Sequence, residues 1–186
     1  MRFYIKSMVC SRCKMVVQNA FKQAGFHPTL VELGEVEIEE EPSAEELHGF
    51  TEELFELGFE IIDNRKSQLI EQIKNTIVTR IHHNEEIPKI NLSDLLAQKL
   101  NYDYNYLSNL FSEVEGLTIE KYAIAQRVEK VKELLMYDQL SLSQIADRLG
   151  YSSVAYLSNQ FKKQTGLSPS FYKTLKENHR KNIEEL

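Results

Sequence analysis

The sequence predicts an α+β fold in two parts: a βαββαβ domain in residues 1–66 and an all-α domain in residues 67–186. Three observations support this division. The first part switches between strand and helix periodicity, whereas the chain after it keeps helix periodicity. The second part repeats itself once, with a period of about 50 residues. Each copy has the spacing of a helix-turn-helix unit.

Strand and helix periodicities alternate at the start of the chain. Residues 2–6 alternate apolar and polar side chains, which predicts a strand. From Cys13 onward apolar residues recur at helical spacing as far as Gly25, a typical helix C-cap, so a helix follows. Residues 28–40 then alternate again around Gly34, and this pattern predicts two short strands joined by a turn.

A second helix and a last strand complete the first part. Ser43 and Glu46 have the spacing of a capping box, and the apolar stripe that follows ends at Gly58. Residues 59–62 predict a strand, so the order is βαββαβ, as in the ferredoxin-like arrangement. The polar residues 63–67 are the predicted boundary between the domains.

The second part opens with a predicted connecting helix. Apolar residues from Leu69 to Ile81 form one helical stripe, which runs to about His83. The polar residues 84–89 include Pro88 and end this helix, since proline cannot continue the hydrogen-bond ladder.

The internal repeat is the most specific signal in the chain. The run Tyr-Leu-Ser-Asn at residues 106–109 returns at residues 156–159, and Phe111 returns as Phe161. Each copy predicts a short helix, a break and a second helix; we call the two copies the first head and the second head. The predicted helices cover residues 94–100 and 104–114 in the first head and 143–149 and 154–164 in the second.

Apolar residues inside each head would pack its two helices together and leave the other face of the second helix free. That second, recognition helix is the element that enters a major groove in helix-turn-helix proteins. A long apolar stripe over residues 119–137 predicts a helix that joins the heads and fixes their spacing. The pattern therefore favours double-stranded DNA as the partner. A helical module that binds another protein remains the alternative.

Charge is distributed unevenly along the chain. The net charge of -6 argues against a nucleic-acid partner, because phosphate binding depends on Lys and Arg. The acidic residues, however, are concentrated in residues 1–66, which hold seven Lys/Arg and thirteen Asp/Glu. Residues 151–181 hold six Lys/Arg and a single acidic residue, Glu177. The basic end of the chain thus coincides with the second head.

The second head resembles the DNA-binding domain of AraC-type regulators. The resemblance lies in the runs Ser143-Gln144-Ile145-Ala146, Tyr156-Leu157-Ser158-Asn159-Gln160-Phe161-Lys162-Lys163 and Gly166-Leu167-Ser168-Pro169, and it extends over roughly residues 68–176. It implies base-facing positions at Asn105, Ser108, Asn109, Val154, Ala155 and Asn159, and phosphate contacts at Lys162 and Lys163. The first head departs from the family, because it carries Asp103, Glu113 and Glu115 where basic residues are expected.

Cys10 and Cys13 are the only cysteines, and they follow the first strand where a helix begins. They are too close in sequence to form a structural disulfide framework. Because a helix N-terminus and the nearby Arg12 stabilise negative charge, this position favours the thiolate form, which binds soft metals such as Cu(I) or Zn(II). The spacing alone leaves three interpretations open: metal binding, redox chemistry and no function.

On a βαββαβ framework, Met8, Cys10 and Cys13 with Leu57-Gly58-Phe59 resemble the heavy-metal-associated domain of copper chaperones and metal-pumping ATPases. The resemblance spans roughly residues 1–66, and it implies a metal loop to which Met8 contributes. Ser7 stands where that family usually has Gly. Redox sensing is the alternative, although thioredoxin-like sites usually place an aromatic residue before the first cysteine.

These patterns together predict a transcription regulator whose DNA binding responds to a soft metal ion at the thiol pair, Cys10 and Cys13. The alternatives are a redox-sensing regulator and a metal-delivery protein whose helical domain binds a protein partner. We expect no enzyme, because the chain has no nucleotide-binding glycine loop and no nucleophile elbow. No apolar run approaches the roughly 20 residues that span a bilayer, so we expect a cytoplasmic protein without a membrane partner. The sequence carries no signal for an oligomeric state.

Overall fold

The structure is a computed structural model, and it describes residues 1–62, 65–84, 90–137 and 139–175. The chain divides into two compact units. The first combines Met1–Thr79 with Ser93–Leu110, and the second combines Arg80–Leu92 with Phe111–Leu186. The first head thus lies largely in the first unit, whereas the second head lies in the second unit.

Residues 1–62 form a small four-stranded antiparallel sheet with two helices. The strands are β1 (Arg2–Lys6), β2 (Pro28–Glu32), β3 (Glu35–Ile38) and β4 (Glu60–Ile61), in the spatial order β2-β3-β1-β4. Helix α1 (Ser11–Gln23) follows β1, and α2 (Ala44–Glu56) follows β3. The predicted order of strands and helices is therefore present in this unit. Its assignment to the ferredoxin-like fold stays a prediction.

Aromatic side chains build the core beneath the sheet. The Phe21 ring of α1 lies 4.5 Å from that of Phe50 of α2 and 5.6 Å from that of Phe3 of β1, centroid to centroid. Tilted and edge-on contacts of this kind stabilise a core beyond the area that they bury. The predicted capping box is also present, because the Ser43 hydroxyl accepts the Glu46 N–H at 3.3 Å.

Helix α3 (Arg65–Val78) belongs to the first unit. The Gln68 amide donates a hydrogen bond to the Ile62 carbonyl at 2.7 Å, and α3 also packs on β1. The first compact unit therefore continues past residue 66, where the sequence predicts the end of the N-terminal domain. The domain boundary itself stays a prediction. The predicted helix to His83 also changes form, since a π-helical turn, Thr79–His83, follows α3. Residues 85–89, with Pro88, lie outside the described residues.

The remaining helices match the predicted repeat. They are α4 (Leu92–Leu100), α5 (Tyr104–Glu115), α6 (Ile119–Tyr137), α7 (Leu142–Arg148) and α8 (Val154–Thr165). Helix α7 begins one residue before the predicted start, because Ser141 rather than a later residue forms the N-terminal cap with Gln144. Among the described residues, no helix is both long and apolar enough to cross a membrane.

Helices α6, α7 and α8 share one core in the second unit. The buried side chains include Val128 and Val131 of α6, Ile145 of α7, and Leu157 and Phe161 of α8. Burial of a large apolar side chain contributes about 1.5–3 kcal/mol, so these residues fix α8 through one face. The opposite face of α8 is left for other contacts.

Candidate nucleic-acid interface and thiol pair

The second head holds its recognition helix, α8, at both ends. The Ser153 hydroxyl accepts the Tyr156 N–H at 3.1 Å and caps the N-terminus. At the C-terminus Gly166 adopts a left-handed φ of 79°, a conformation that costs glycine little. The Phe161 ring packs edge-on against Tyr172, with centroids 5.5 Å apart. The helix is therefore anchored along its inner face.

The outer face of α8 carries the residues predicted to contact DNA. Ala155, Asn159, Lys162 and Lys163 are exposed, and Val154 is half-buried at the start of the helix. The exposed residues recur at helical spacing and so lie on one face. This arrangement leaves two cations and an amide available to a ligand. Their contacts with DNA stay predictions.

The first head presents a face of the same kind but without a cation. Asn105 and Asn109 of α5 are exposed and Ser108 is half-buried, whereas Leu107 and Leu110 are buried. Helix α5 contains no Lys or Arg. Its outer face therefore carries no positive charge, and the positive charge of the two recognition helices is confined to α8.

Asp103 has a structural role that sequence reasoning missed. Its carboxylate accepts the backbone N–H groups of Asn105 at 2.8 Å and Tyr106 at 3.3 Å, so it caps α5. In the sequence, Asp103 stands out only as an unexpected negative charge. The repeat held the signal, because Ser153, the cap of α8, stands 50 residues later.

Each recognition helix also carries an exposed tyrosine that packs on a tyrosine from the preceding turn. Tyr106 stacks on Tyr102 with centroids 5.5 Å apart, and Tyr156 lies edge-on to Tyr151 at 6.0 Å. Arg127 of α6 lies over the Tyr151 ring, 5.9 Å from its centroid. Burial raises the pKa of Tyr151 to about 12, so this phenol stays protonated at neutral pH.

Part of the basic C-terminal run falls outside the described residues. Of the basic residues in 151–181, the structure describes Lys162, Lys163 and Lys173. The first two lie on α8, and Lys173 follows Tyr172. These three lysines, whose charge favours nucleic acid, therefore lie on or close to the second recognition helix in the sequence.

The thiol pair occupies the N-terminus of α1. Cys10 is the N-cap residue, and its sulfur accepts the Cys13 N–H at 3.4 Å. The two Sγ atoms lie 3.0 Å apart, and both residues are half-buried. The hydrogen bond from the Cys13 thiol, followed by the Cys13 N–H, lowers the pKa of Cys10, and Arg12 adds to this effect. The two sulfurs are thus adjacent at the N-terminus of α1, where the thiolate form of Cys10 is favoured.

Met8, the third predicted metal ligand, is fully buried in the core of the first unit. The structure gives Met8 a packing role, and its coordination of a metal stays a prediction. Within the described residues, no group of three or more His, Cys, Asp or Glu side chains could hold a metal ion.

Comparison with known proteins identifies part of the chain. A family model described as a helix-turn-helix domain matches residues 96–174. The Msm operon regulatory protein of Streptococcus mutans is 31% identical over 96 residues, which are 52% of this chain and 34% of that protein. An uncharacterised HTH-type transcriptional regulator of Bacillus subtilis, YtdP, is 29% identical over 115 residues, which are 62% of this chain and 15% of that protein. The chain therefore spans about a third of the length of the first relative and 15% of the length of the second.

Solved structures agree with this match. The C-terminal domain of AraT, a response regulator from Geobacillus stearothermophilus, superposes with a TM-score of 0.51 at 28% identity, covering 60% of this chain and 88% of that one. The DNA-binding domain of the transcriptional factor AdpA, solved with a target DNA, has the same fold at 22% identity (TM-score 0.50, covering 60% and 95%). The relatives YtdP and the Msm operon protein are named as regulators and AraT as a response regulator, and regulators are not enzymes, in agreement with the expectation for this chain. The C-terminal part of this chain is an AraC-type helix-turn-helix domain.

Proposed function

We propose that this protein regulates transcription by binding specific sequences in double-stranded DNA through its two heads. One observation carries the proposal: each recognition helix is buried along one face and exposes an asparagine on the other, Asn105 or Asn109 in α5 and Asn159 in α8. Asparagine pairs with adenine in the major groove through two hydrogen bonds. The relatives named as operon regulatory proteins support the same activity.

The two heads would contribute differently to binding. Lys162 and Lys163 supply phosphate contacts, which dominate affinity and make it sensitive to salt. Val154 and Ala155 supply small apolar surfaces suited to a thymine methyl group. Since α5 has no cation, the first head would add sequence discrimination through Asn105, Ser108 and Asn109 rather than electrostatic affinity.

The test begins with selection of binding sites from a pool of random duplex DNA, followed by footprinting of the enriched sequence. Lys162→Gln and Lys163→Gln should each weaken binding to all sequences and lower the slope of log affinity against log salt by about 1. Asn159→Ala should relax discrimination at one base pair by about 1–3 kcal/mol. Lys22→Gln on α1 is the control for loss of one charge. Absence of any enriched sequence would overturn the proposal.

A second candidate concerns the first unit. We propose that its βαββαβ segment is a heavy-metal-associated-like domain whose thiol pair holds a soft metal ion and thereby alters DNA binding. The adjacent sulfurs and the lowered pKa of Cys10 support this, because thiolates are the ligands that soft cations prefer. Two thiols fit Cu(I) better than Zn(II), which takes four ligands in structural sites. Coupling of about 1–3 kcal/mol is typical of such regulation.

Anaerobic titration of Cu(I) and of Zn(II) tests the metal proposal in the full chain. The wild type should take up Cu(I) with loss of two titratable thiols, and Cys10→Ser/Cys13→Ser should not. Equal uptake by both proteins would refute the site. Thiol loss after exposure to a disulfide reagent, with no metal uptake, would instead favour the redox-sensing regulator. A protein that binds metal but no DNA would favour the metal-delivery alternative.

A further inference from the structure

Helix α3 lies outside the family-matched residues 96–174, yet it contacts the first head. The Arg65 guanidinium at the start of α3 donates a hydrogen bond from Nη2 to the Tyr102 hydroxyl at 3.0 Å. Tyr102 stands in the turn before α5, and its ring stacks on Tyr106, with 24° between the ring planes. Tyr106 adjoins Asn105, so this contact reaches the N-terminus of the first recognition helix.

The same helix is held against the sheet. The Gln68 amide donates to the Ile62 carbonyl, directly after β4, and Leu69, Ile70 and Ile73 are buried. Near the C-terminal end of α3, the Asn75 amide fills the space beside Gly34 in the turn between β2 and β3. A side chain at that position would displace Asn75, because a Cβ on Gly34 would lie 1.9 Å from Asn75 Nδ2. Helix α3 is therefore attached to the sheet along most of its length.

These contacts place the first head and the sheet in one compact unit, Met1–Thr79 with Ser93–Leu110. The second head also contacts an arginine, but this arginine belongs to a different helix. Tyr151, the tyrosine before its recognition helix, lies under Arg127 of α6, and both residues belong to the second unit. In both heads, an arginine from the helix before the head meets the tyrosine before the recognition helix. Only in the first head does that arginine come from a helix that the described contacts join to the N-terminal sheet.

We infer that Arg65 is a positioning residue that fixes the first recognition helix, through Tyr102 and Tyr106, to the N-terminal domain. The N-terminal domain then acts on DNA binding through the first head, and the second head supplies the electrostatic anchor. This inference rests on the proposed DNA binding. Because Arg65 reaches DNA only through Tyr102 in this scheme, its effect must depend on the Tyr102 hydroxyl.

A double-mutant cycle on the full chain tests this dependence. Arg65→Gln and Tyr102→Phe should each weaken binding to the selected DNA by about three- to tenfold, and the double variant should be no weaker than either single one. In footprinting, both single variants should protect the DNA segment that faces the first head less than the wild type does. Lys22→Gln again controls for charge and should bind as the wild type does.

Salt dependence separates positioning from direct contact. If Arg65 contacted a phosphate directly, Arg65→Gln would lower the slope of log affinity against log salt by about 1, and Tyr102→Phe would still weaken DNA binding. Positioning leaves the slope unchanged. An altered slope, or additive losses in the double variant, would overturn the inference while leaving the proposed function intact.

Amide hydrogen exchange of the free protein decides the inference independently of DNA. Arg65→Gln should speed exchange in residues 104–110 by about three- to tenfold, whereas residues 154–165 should be unchanged. Unchanged exchange in both segments would refute the positioning role. If the wild type binds no DNA at all, the proposed function fails, and this measurement still tests the attachment of the first head to α3.

Discussion

The Asp103 carboxylate accepts the Tyr106 backbone N–H at the start of α5. The Ser153 hydroxyl accepts the Tyr156 N–H in the same way at the start of α8. Two different side chains therefore perform one task at equivalent points of the repeat. The acidic residue in the first head is explained by helix capping, because a carboxylate is both a good N-cap and a favourable charge at a helix N-terminus.

Asp103→Ala should destabilise the protein by about 1 kcal/mol, the usual cost of losing an N-cap. Asp103→Asn should keep the cap and remove the negative charge beside Asn105. We therefore expect Asp103→Asn to retain wild-type stability in urea denaturation and to bind DNA more tightly. Equal destabilisation by Ala and Asn would contradict this, because it would show that the charge of Asp103, and not its N-cap hydrogen bond, stabilises α5.

Gly34→Ala should be among the most damaging substitutions in the sheet. Gly34 has a φ of 78°, and a Cβ there would collide with Asn75. The left-handed backbone costs a non-glycine residue about 1–2 kcal/mol, and overpacking adds typically 1–3 kcal/mol.

Gly25→Ala is the matched control for this prediction. Gly25 has a φ of 87°, but a Cβ there would meet no atom within 4 Å. It should therefore show the backbone cost alone. The difference in unfolding free energy between the two variants measures the packing of α3 on the turn, and Asn75→Ala should reduce that difference. Equal losses at both glycines would contradict the close packing.

The helices of both heads follow directly from periodicity, since a repeat with apolar residues at helical spacing leaves little choice of structure. The last strand shows the limit of this reasoning. The pattern of residues 59–62 predicts a strand, but β4 spans only Glu60–Ile61. The Phe59 N–H bonds back to the Leu54 carbonyl at 2.9 Å, so Phe59 completes the C-terminal cap of α2 instead. Tertiary and capping contacts determine where such short strands begin and end.

The candidate site also combines features that the sequence predicts with features that it does not. Exposure of Asn105 and Asn159 is predictable, because it is the complement of the buried stripe on each helix. The contact of Arg65 with Tyr102 is not, since it joins residues 37 positions apart with no shared period. Likewise, complete burial of Met8 depends on how the loop after β1 folds over the core. Sequence periodicity carries no information on that.

Ser7 adopts a left-handed φ of 71° immediately before Met8. The loop therefore uses, with serine, a conformation that glycine reaches without strain. Ser7→Gly should change stability by less than about 1 kcal/mol, because relief of strain offsets the greater chain entropy of the unfolded state. Ser7→Val should destabilise the protein by more than about 1 kcal/mol, since β-branched residues strongly disfavour this region. Thermal unfolding should give similar midpoints for the wild type and Ser7→Gly and a lower midpoint for Ser7→Val; a midpoint for Ser7→Val equal to that of the wild type would contradict the left-handed conformation.

His82 gives the second unit a pH dependence. Burial lowers the pKa of His82 from 6.5, and Lys130 and His83 act in the same direction. The hydrogen bond with Gln126, at 3.0 Å, and the charge of Glu133 oppose this shift. Because the unfolded chain then binds a proton more readily than the folded one, the stability present above about pH 6.5 falls as the pH drops below that value.

His82→Gln removes the titrating group from the second unit. Urea unfolding of the wild type between pH 7.5 and about pH 5 should show a loss of stability that is smaller in the variant, since Gln has no proton to gain. His48→Gln is the control, because His48 is exposed on α2 in the first unit. If His82→Gln loses stability with falling pH as steeply as the wild type, or if stability rises instead, burial of neutral His82 does not govern the acid response of the folded chain.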